Sequence, residues 1–566
     1  MKRIKYTISA GLLGICSLFM VSSCDLDPKF YTEPTADGFF TDKNNVYSIL
    51  GRPYTHWRWY VGNARWYLQE LTTDEMVCPV RGADWEDNGS YQRLHYHTWV
   101  PSDKYIKETY EGTMQGISRS LEAMEDLSAV DYPSLGLTEE EKADHINQLN
   151  SLMAYFYMKA LDFFGGTPIY YNTKEGLKPR NTDRETFEHI EKLLKEALPK
   201  LQKKTTLGAF EDGYVRQAAA AAMLAQLYFN AEAYIGESRF EECAKISQDI
   251  IDGVYGDYAL EDTWHAPHGF DNDKSVEIIW SIPSENAKLE WNWYYRYFYH
   301  YNAYRYFDIE TSGYNGIMLA PSRDPKKNIY TNFKLGNPYE KYNDADLRKK
   351  PYRYLGNKKY EGMFLVGEQK NPNNPSQECK GSREYNNRLI VLVDQVARFI
   401  DVEKGLKTID QLTSTMRDGE ESSGIRLVKS PQPNLADKAL RYNPDCPMIR
   451  LAEIYYMLAE CKMRAGDKAG AAKLINEVRK RNFEGGNDPD PVTAANLDKY
   501  RMLDEWMIEF IGEGAGRRRT DLIRWNAFVT ENWWDHEASN DKNRNRFPIP
   551  EDAFSGNPLL EQNPGY

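Results

Sequence analysis

MIRLAEIYYMLAECKMR, residues 448–464, is followed after a short Ala-Gly-Asp turn by KAGAAKLINEVRKR, residues 468–481. Apolar residues recur every three or four positions in both stretches, and this spacing predicts two helices joined by the turn. Small residues on the first helix let the second cross it closely, and bulky side chains fill the space against the next pair, as in tetratricopeptide repeats. A unit with the same arrangement lies upstream, at 215–230 and 240–251. The small residues at the predicted crossings are Ala218, Ala219, Ala222, Ala225, Ala452 and Ala459.

Helical periodicity also covers 139–164 and 497–511, whereas the stretch between the two helical parts has a different composition. Residues 252–447 are rich in Gly, Pro, Asn and Tyr and contain short β-type runs at 276–282 and 389–393. Such composition indicates long loops and small hairpins, where binding residues commonly lie. We therefore predict a mainly α protein: a tetratricopeptide-like helical-repeat scaffold, with units around 139–251 and 448–525, that carries a large loop-rich, small-hairpin ligand-binding face.

The first 23 residues have the pattern of a lipoprotein signal peptide. Three basic residues precede an apolar run of 14 residues, 8–21, which as a helix rises about 21 Å and falls short of the roughly 30 Å hydrocarbon core of a bilayer. Small residues then lead to Cys24, the predicted lipidation site. Residues 24–566 are predicted to form one domain. An uncleaved membrane anchor is the alternative for the amino terminus.

Charge and composition exclude several classes of protein. The 566 residues carry a net charge of −13, and acidic residues number 84 against 71 basic ones, so nucleic acid is not a predicted partner. Aromatic residues are abundant, with 13 Trp, 40 Tyr and 22 Phe. Five cysteines follow Cys24 without metal-ligand spacing, and we expect them to be buried as small apolar side chains.

No sequence motif for catalysis is present. The phosphate-binding loop and the GxSxG and HExxH patterns are all missing from the sequence. The acid pairs Asp74/Glu75 and Asp84/Glu86 leave a glycoside hydrolase open as an alternative. Residues 84–89 imitate the start of a calcium-binding loop, but His95 stands where a bidentate Glu is required, so a structural calcium ion stays a second alternative. No catalytic residue, metal ligand or cofactor is predicted.

Two aromatic clusters suggest carbohydrate binding. Five tryptophans fall between residues 57 and 99, and 11 of the 17 residues from 291 to 307 are aromatic. Sugar rings stack on aromatic faces, while Asp, Asn and Arg hydrogen-bond to hydroxyl groups. Trp85 lies in a Gly-punctuated loop that offers both kinds of group, with Arg81, Asp84, Asp87 and Asn88 around it.

Six stretches of the carboxy-terminal third carry a shared family pattern: 449–460, 474–479, 509–514, 518–525, 547–550 and 562–566. In these stretches the chain resembles the SusD/RagB family of outer-membrane nutrient-binding lipoproteins. The resemblance implies a surface-exposed, lipid-anchored protein of the outer membrane that captures oligosaccharides and delivers them, as a lid, to a SusC-like TonB-dependent transporter without cleaving bonds. A peptide-binding lid of the RagB type is the alternative within the family.

The resemblance also implies where the ligand binds. Members place a stacking Trp and a hydroxyl-binding Arg in the amino-terminal loop, and another stacking platform in the segment that corresponds to 291–297. Glu513 and Arg518 match family positions that look structural. The predicted glycan-binding residues are Trp85, Arg81, Asp74, Asp84, Asn88, Trp291, Trp293 and Tyr295.

Overall fold

The computed structural model describes residues 39–62, 64–291, 295–310 and 312–566, with only the backbone of Tyr295. The predicted signal peptide and Cys24 lie outside the described residues. Across the described ranges no helix combines the length and the apolar composition that crossing a bilayer requires. The helices are α1 Lys43–Val61, α2 Ala64–Glu70, α3 Ser90–His95, α4 Lys104–Ser128, α5 Glu139–Phe164, α6 Asp183–Ala197, α7 Gln217–Phe229, α8 Ala231–Ile235, α9 Phe240–Ile251, α10 Tyr295–Phe298, α11 Tyr304–Phe307, α12 Pro338–Lys341, α13 Phe399–Glu403, α14 Leu451–Arg464, α15 Lys468–Arg479, α16 Lys499–Phe510, α17 Arg518–Arg524 and α18 Glu551–Gly556.

Eight of these helices form a continuous stack. In order, α1 packs on α4, α4 on α5, α5 on α6, α6 on α7, α7 on α9, α9 on α14, and α14 on α15. The small residues predicted at the crossings are all fully buried. Gly116 on α4 serves the same purpose, because a Cβ atom there would overlap the Phe156 ring of α5. The mainly α, tetratricopeptide-like fold is confirmed.

The best-predicted helix is α5. Thr138 and Glu141 form a reciprocal capping box at its start, and Gly165 ends it with φ 83°. By contrast, α1 was not predicted, since Pro53 and dense aromatic residues obscure its periodicity. His95 ends α3, and the imidazoles of His95 and His97 are both buried and hydrogen-bond to backbone carbonyls.

Every strand belongs to a small two-stranded antiparallel sheet in the part of the chain that is described. The pairs are β1 with β3, β2 with β12, β4 with β5, β6 with β11, β7 with β10, and β8 with β9. The strands are β1 Met76–Val77, β2 Ile278–Ile282, β3 Met318–Leu319, β4 Arg353–Gly356, β5 Lys359–Glu361, β6 Phe364–Leu365, β7 Gly367–Glu368, β8 Lys370–Asn371, β9 Asn374–Glu378, β10 Val391–Leu392, β11 Arg426–Leu427 and β12 Cys446–Arg450. The two predicted β-type runs coincide with β2 and β10.

Strand β2 joins the loop-rich part to the helical stack. All five of its residues are buried, and Trp280 lies opposite Ile449 in the pairing with β12, which leads directly into α14. On the other side, the Trp280 indole stacks on Trp57 of α1, with ring centroids 4.1 Å apart and planes 10° from parallel. The strand therefore fixes the first helix and the carboxy-terminal helices to one another.

The described residues form two hydrophobic cores. One is made by the helical stack, and the other by the loop-rich part together with residues 66–110 and 503–560. All five cysteines of the described chain are buried free thiols, as expected. The loop-rich part is thus an organised body with its own interior, which can hold an exposed loop in a fixed conformation.

A buried network of charges lies where the two cores meet, and we refer to it as the junction network. Arg450 ends β12 and contacts Glu277, Glu509 and Glu513 with N–O distances of 2.8–2.9 Å. Burial alone would raise the pKa of Glu509, but the surrounding arginines outweigh it and hold the pKa well below its usual range. The side chains of the network are at most 9% exposed and comprise four cations and four anions: Arg348, Lys429, Arg450, Arg481, Glu277, Asp346, Glu509 and Glu513.

Candidate functional site

The loop that carries Trp85 has an unusual backbone. Trp85, Asp87 and Asn88 all adopt left-handed conformations, with φ of 66°, 42° and 52°. A bulky residue such as Trp pays an energetic cost there, and conformations of this kind persist only where surrounding contacts impose them. The contacts around Trp85 therefore hold its side chain in one position at the expense of a favourable backbone conformation.

Arg81 supplies the contacts that hold this loop. Its side chain is only 4% exposed, and it donates to the carbonyls of Gly316, Glu420 and Ser423 at 3.1, 2.7 and 3.0 Å. Its backbone also exchanges two hydrogen bonds with Asp84. The prediction that Arg81 binds sugar hydroxyls is therefore wrong, because its guanidinium is committed inside the protein. Arg81 positions the loop.

The Trp85 side chain is half-buried and packs against aromatic residues and a glycine. Its indole N–H donates to the carbonyl of Tyr314 at 2.9 Å, and its ring lies so close to Gly316 that a Cβ there would come within 2.5 Å. Tyr91 and Tyr297 meet it edge-on, with ring centroids 5.6 and 6.2 Å away. We call Trp85, Tyr297 and Tyr314 the Trp85 platform; the Tyr314 side chain is 39% exposed.

Polar side chains with free hydrogen-bonding capacity surround the platform. Asp84 accepts from the Tyr301 hydroxyl at 2.6 Å and pairs with Arg383, whose side chain is 54% exposed. The guanidinium of Arg296 lies 4.6 Å from the centre of the Tyr314 ring, and Asn88 is exposed. The structure thus brings the predicted residues Trp85, Asp84 and Asn88 together.

Two other predicted residues lie away from this platform. Asp74 is fully buried, and both of its carboxylate oxygens accept from Arg518 at 2.7 and 2.8 Å, so the prediction that it contacts glycan is wrong. Trp291 is only 9% exposed and donates to the carbonyl of Arg58, which makes it a core residue and contradicts its predicted role. Trp293 lies outside the described residues, and Tyr295 begins α10. Their predicted contacts stay predictions.

Sequence reasoning missed four residues of the site: Tyr297, Tyr314, Arg296 and Arg383. Tyr297 and Arg296 lie within the aromatic segment 291–307, so the composition of that segment was a usable signal. Tyr314 is 229 positions from Trp85 along the chain, and Arg383 is farther still. No spacing rule connects residues at such separations.

The acid pair Asp74/Glu75 is poorly placed for catalysis. Glu75 is 3% exposed and lies beside Glu70 and Arg518, and burial raises the pKa of the Glu75 carboxyl well above its usual value. A substrate in solvent cannot reach these groups. Among the described residues, no three or more His, Cys, Asp or Glu side chains are grouped so that they could hold a metal ion. A calcium ion can also take backbone carbonyls and water as ligands.

Comparison with known proteins agrees with the fold. The model of the SusD family matches residues 276–566, slightly more than half of the chain. The chain belongs to the SusD family. The matched region contains β2, most of the loop-rich part and helices α14 to α18, so all eight residues of the junction network fall within it.

Relatives of this SusD family member cover almost its whole length. The starch-binding protein SusD of Bacteroides thetaiotaomicron is 23% identical over 532 residues, which span 88% of this chain and 84% of that protein. Surface glycan-binding protein A of the same species matches with a TM-score of 0.65 and 17% identity, covering 93% of this chain and 100% of the other. A laminarin-binding SusD-like protein matches with a TM-score of 0.62 and 18% identity over 93% and 100% of the two chains.

Proposed function

We propose that this protein binds oligosaccharides at the cell surface and that the Trp85 platform is its binding site. The observation that carries the proposal is the half-exposed Trp85 indole, fixed in a strained backbone conformation and ringed by hydrogen-bonding side chains. Relatives described as starch-binding and laminarin-binding support the same class of ligand.

The geometry suggests how capture works. A pyranose ring lies on the exposed indole face of Trp85, and its hydroxyl groups reach Asp84, Arg383 and Asn88 at the rim. Each sugar hydroxyl exchanges a hydrogen bond with water for one with the protein, so the net gain per hydroxyl is modest, about 0.5–1.5 kcal/mol. Because Arg81 and Gly316 hold the loop before the ligand arrives, little ordering cost is added on binding.

The wider role follows from the family resemblance. We propose that Cys24 carries acyl chains, that the protein is displayed on the outer membrane, and that it passes captured oligosaccharides to a SusC-like TonB-dependent transporter as a lid. In this role it binds without cleaving bonds and uses no cofactor. The buried state of Asp74 and Glu75 supports a binding protein over a hydrolase.

Affinity electrophoresis against starch, laminarin, xylan and pectin tests the proposal. We expect at least one polysaccharide to retard the wild type. Trp85→Ala should weaken that binding at least tenfold, because a central aromatic anchor commonly contributes about 2 kcal/mol or more. Trp85→Phe, which keeps a ring but loses the bond to Tyr314, should fall between the two.

Tyr171→Ala is the matched control, because Tyr171 is 65% exposed but lies in the connection between α5 and α6. It should bind as the wild type does. Undiminished binding by Trp85→Ala would remove the platform from the site, and new reducing ends after incubation would instead identify a glycoside hydrolase.

A further inference from the structure

Trp59 stands out among the tryptophans of this protein. Of the twelve whose side chains the structure describes, it is the one with more than a third of its surface exposed, at 53%. It lies in the last turn of α1, outside the Trp85 platform. Single exposed apolar side chains are common on protein surfaces, so what distinguishes Trp59 is the group that holds its ring in place.

A buried arginine lies beneath the Trp59 ring. The guanidinium carbon of Arg65 is 4.1 Å from the centre of that ring and 4.6 Å from the centre of the Tyr60 ring. Arg65 is 2% exposed, and its Nε and Nη2 atoms have no hydrogen-bond partner among the described residues. Gly112 of α4 allows this close packing, since a Cβ there would come 3.1 Å from the indole. Arg65 and α4 therefore fix the inner face of Trp59 and leave its outer face free.

The surroundings of Trp59 favour a sugar over a protein surface. Protein interfaces are built on larger apolar areas with a dry centre. The exposed neighbours of Trp59 are polar: Thr55 lies one turn earlier on α1, and Glu111 adjoins Gly112 on α4. A single rigid ring with a polar rim is the arrangement that a pyranose requires.

Two structural connections join Trp59 to the Trp85 platform. Arg58, its neighbour in α1, donates to the carbonyls of Leu289 and Glu290, and accepts at its own carbonyl from Trp291. That segment continues into α10, which carries Tyr297 of the platform. On the other side, α2 carries both Arg65 and Tyr67, and the Tyr67 ring centroid is 5.9 Å from that of Tyr297. Both segments lead from the Trp59 surface to the glycan site.

We propose that Trp59 is a second stacking position for the same carbohydrate chain, so that long glycans contact the protein at two points and short ones only at the Trp85 platform. This inference rests on the proposed glycan binding. Its ligand is a pyranose residue distant along the chain from the one on Trp85. Two linked contacts raise the affinity for long chains without changing the affinity for short ones.

Calorimetry with wild type, Trp59→Ala, Trp59→Phe, Trp85→Ala and Tyr171→Ala tests this. The ligands are whichever of starch, laminarin, xylan and pectin retards the wild type, and oligosaccharides of two to ten sugars prepared from it. Trp59→Ala should weaken polysaccharide binding about three- to tenfold and leave the disaccharide and trisaccharide unchanged, as expected for one lost stacking contact. Trp59→Phe should lie between, and it serves in place of Trp59→Ala if thermal unfolding shows that the alanine variant is damaged.

The outcomes separate the two proposals. If Trp85→Ala loses binding while both Trp59 variants match the wild type at every length, the second position is overturned and the Trp85 platform stands. If Trp59→Ala weakens short and long ligands equally, Trp59 belongs to the first site and the two-point inference is again overturned. If the wild type binds none of the four polysaccharides, the proposed function fails and this inference fails with it.

Discussion

The junction network and the Trp85 platform use charged residues in opposite ways. In the network four cations and four anions are buried together and bond to one another, which leaves them little capacity for a ligand. At the platform Arg383 and Arg296 remain open to solvent, and the backbone around Trp85 is strained. The difference separates stability from recognition: changes in the network should alter folding, and changes at the platform should alter binding.

The largest expected effect comes from Arg450→Ala. The substitution leaves Glu277, Glu509 and Glu513 without their shared cation, and breaking a buried pair typically costs about 3–5 kcal/mol. Denaturant titration should show this loss in the free energy of unfolding. Lys288→Ala, which removes an exposed ion pair, is the control and should leave unfolding unchanged. A fold that tolerates Arg450→Ala within experimental error would contradict the assignment of the network as structural.

The second-largest effect is expected on acidification, which should reduce the stability that the junction network contributes. The ordinary glutamate pKa is 4.5, and in the folded protein the pKa values of Glu277, Glu509 and Glu513 are all lowered: burial opposes this, but the adjacent cations prevail. Their contribution is therefore fully present above about pH 4.5 and is lost as the pH falls through the folded values. Denaturant titrations between pH 7 and pH 3 should show falling stability in the wild type and a flatter profile in Arg450→Ala. Parallel profiles would count against the pairing.

A matched glycine pair tests the helical stack. Gly116→Ala should destabilise the protein by about 1–3 kcal/mol, because the added methyl overlaps Phe156. Gly51→Ala, in α1 with nothing within 4 Å of the new methyl, should instead stabilise it by about 0.5–1 kcal/mol. Thermal unfolding measures both. If Gly116→Ala also stabilised the protein, the α4–α5 crossing would not be closely packed.

The smallest expected effect lies at the rim of the platform. Arg383→Gln removes an exposed donor and the partner of Asp84, so glycan binding should weaken about two- to fivefold, in line with one modest hydrogen bond. The free energy of unfolding should not change. A loss of stability without a change in affinity would mean that Arg383 acts structurally, as the charges of the junction network do.

The sequence predicted the parts of the fold that local rules determine. Thr138, Glu141 and Gly165 delimit α5 because capping depends on residues within one turn. Helix α1 was not predicted, because Pro53 and the dense aromatic residues along it disfavour a helix that is considered in isolation. In the site, Trp85 and Asp84 were predicted from their loop. The side chains of Asp74 and Arg81 suit either a sugar or a buried polar contact, and only the fold decides which groups solvent can reach.

The stacked indoles of Trp57 and Trp280 have an optical consequence. Two chromophores stacked 4.1 Å apart couple their electronic transitions, so the circular dichroism that arises from this coupling depends on the two rings staying stacked. Because the pair joins α1 to β2, its signal vanishes when those elements separate, whatever happens at Trp85. The protein therefore contains a built-in spectroscopic reporter of its scaffold, and Trp57→Phe should erase it.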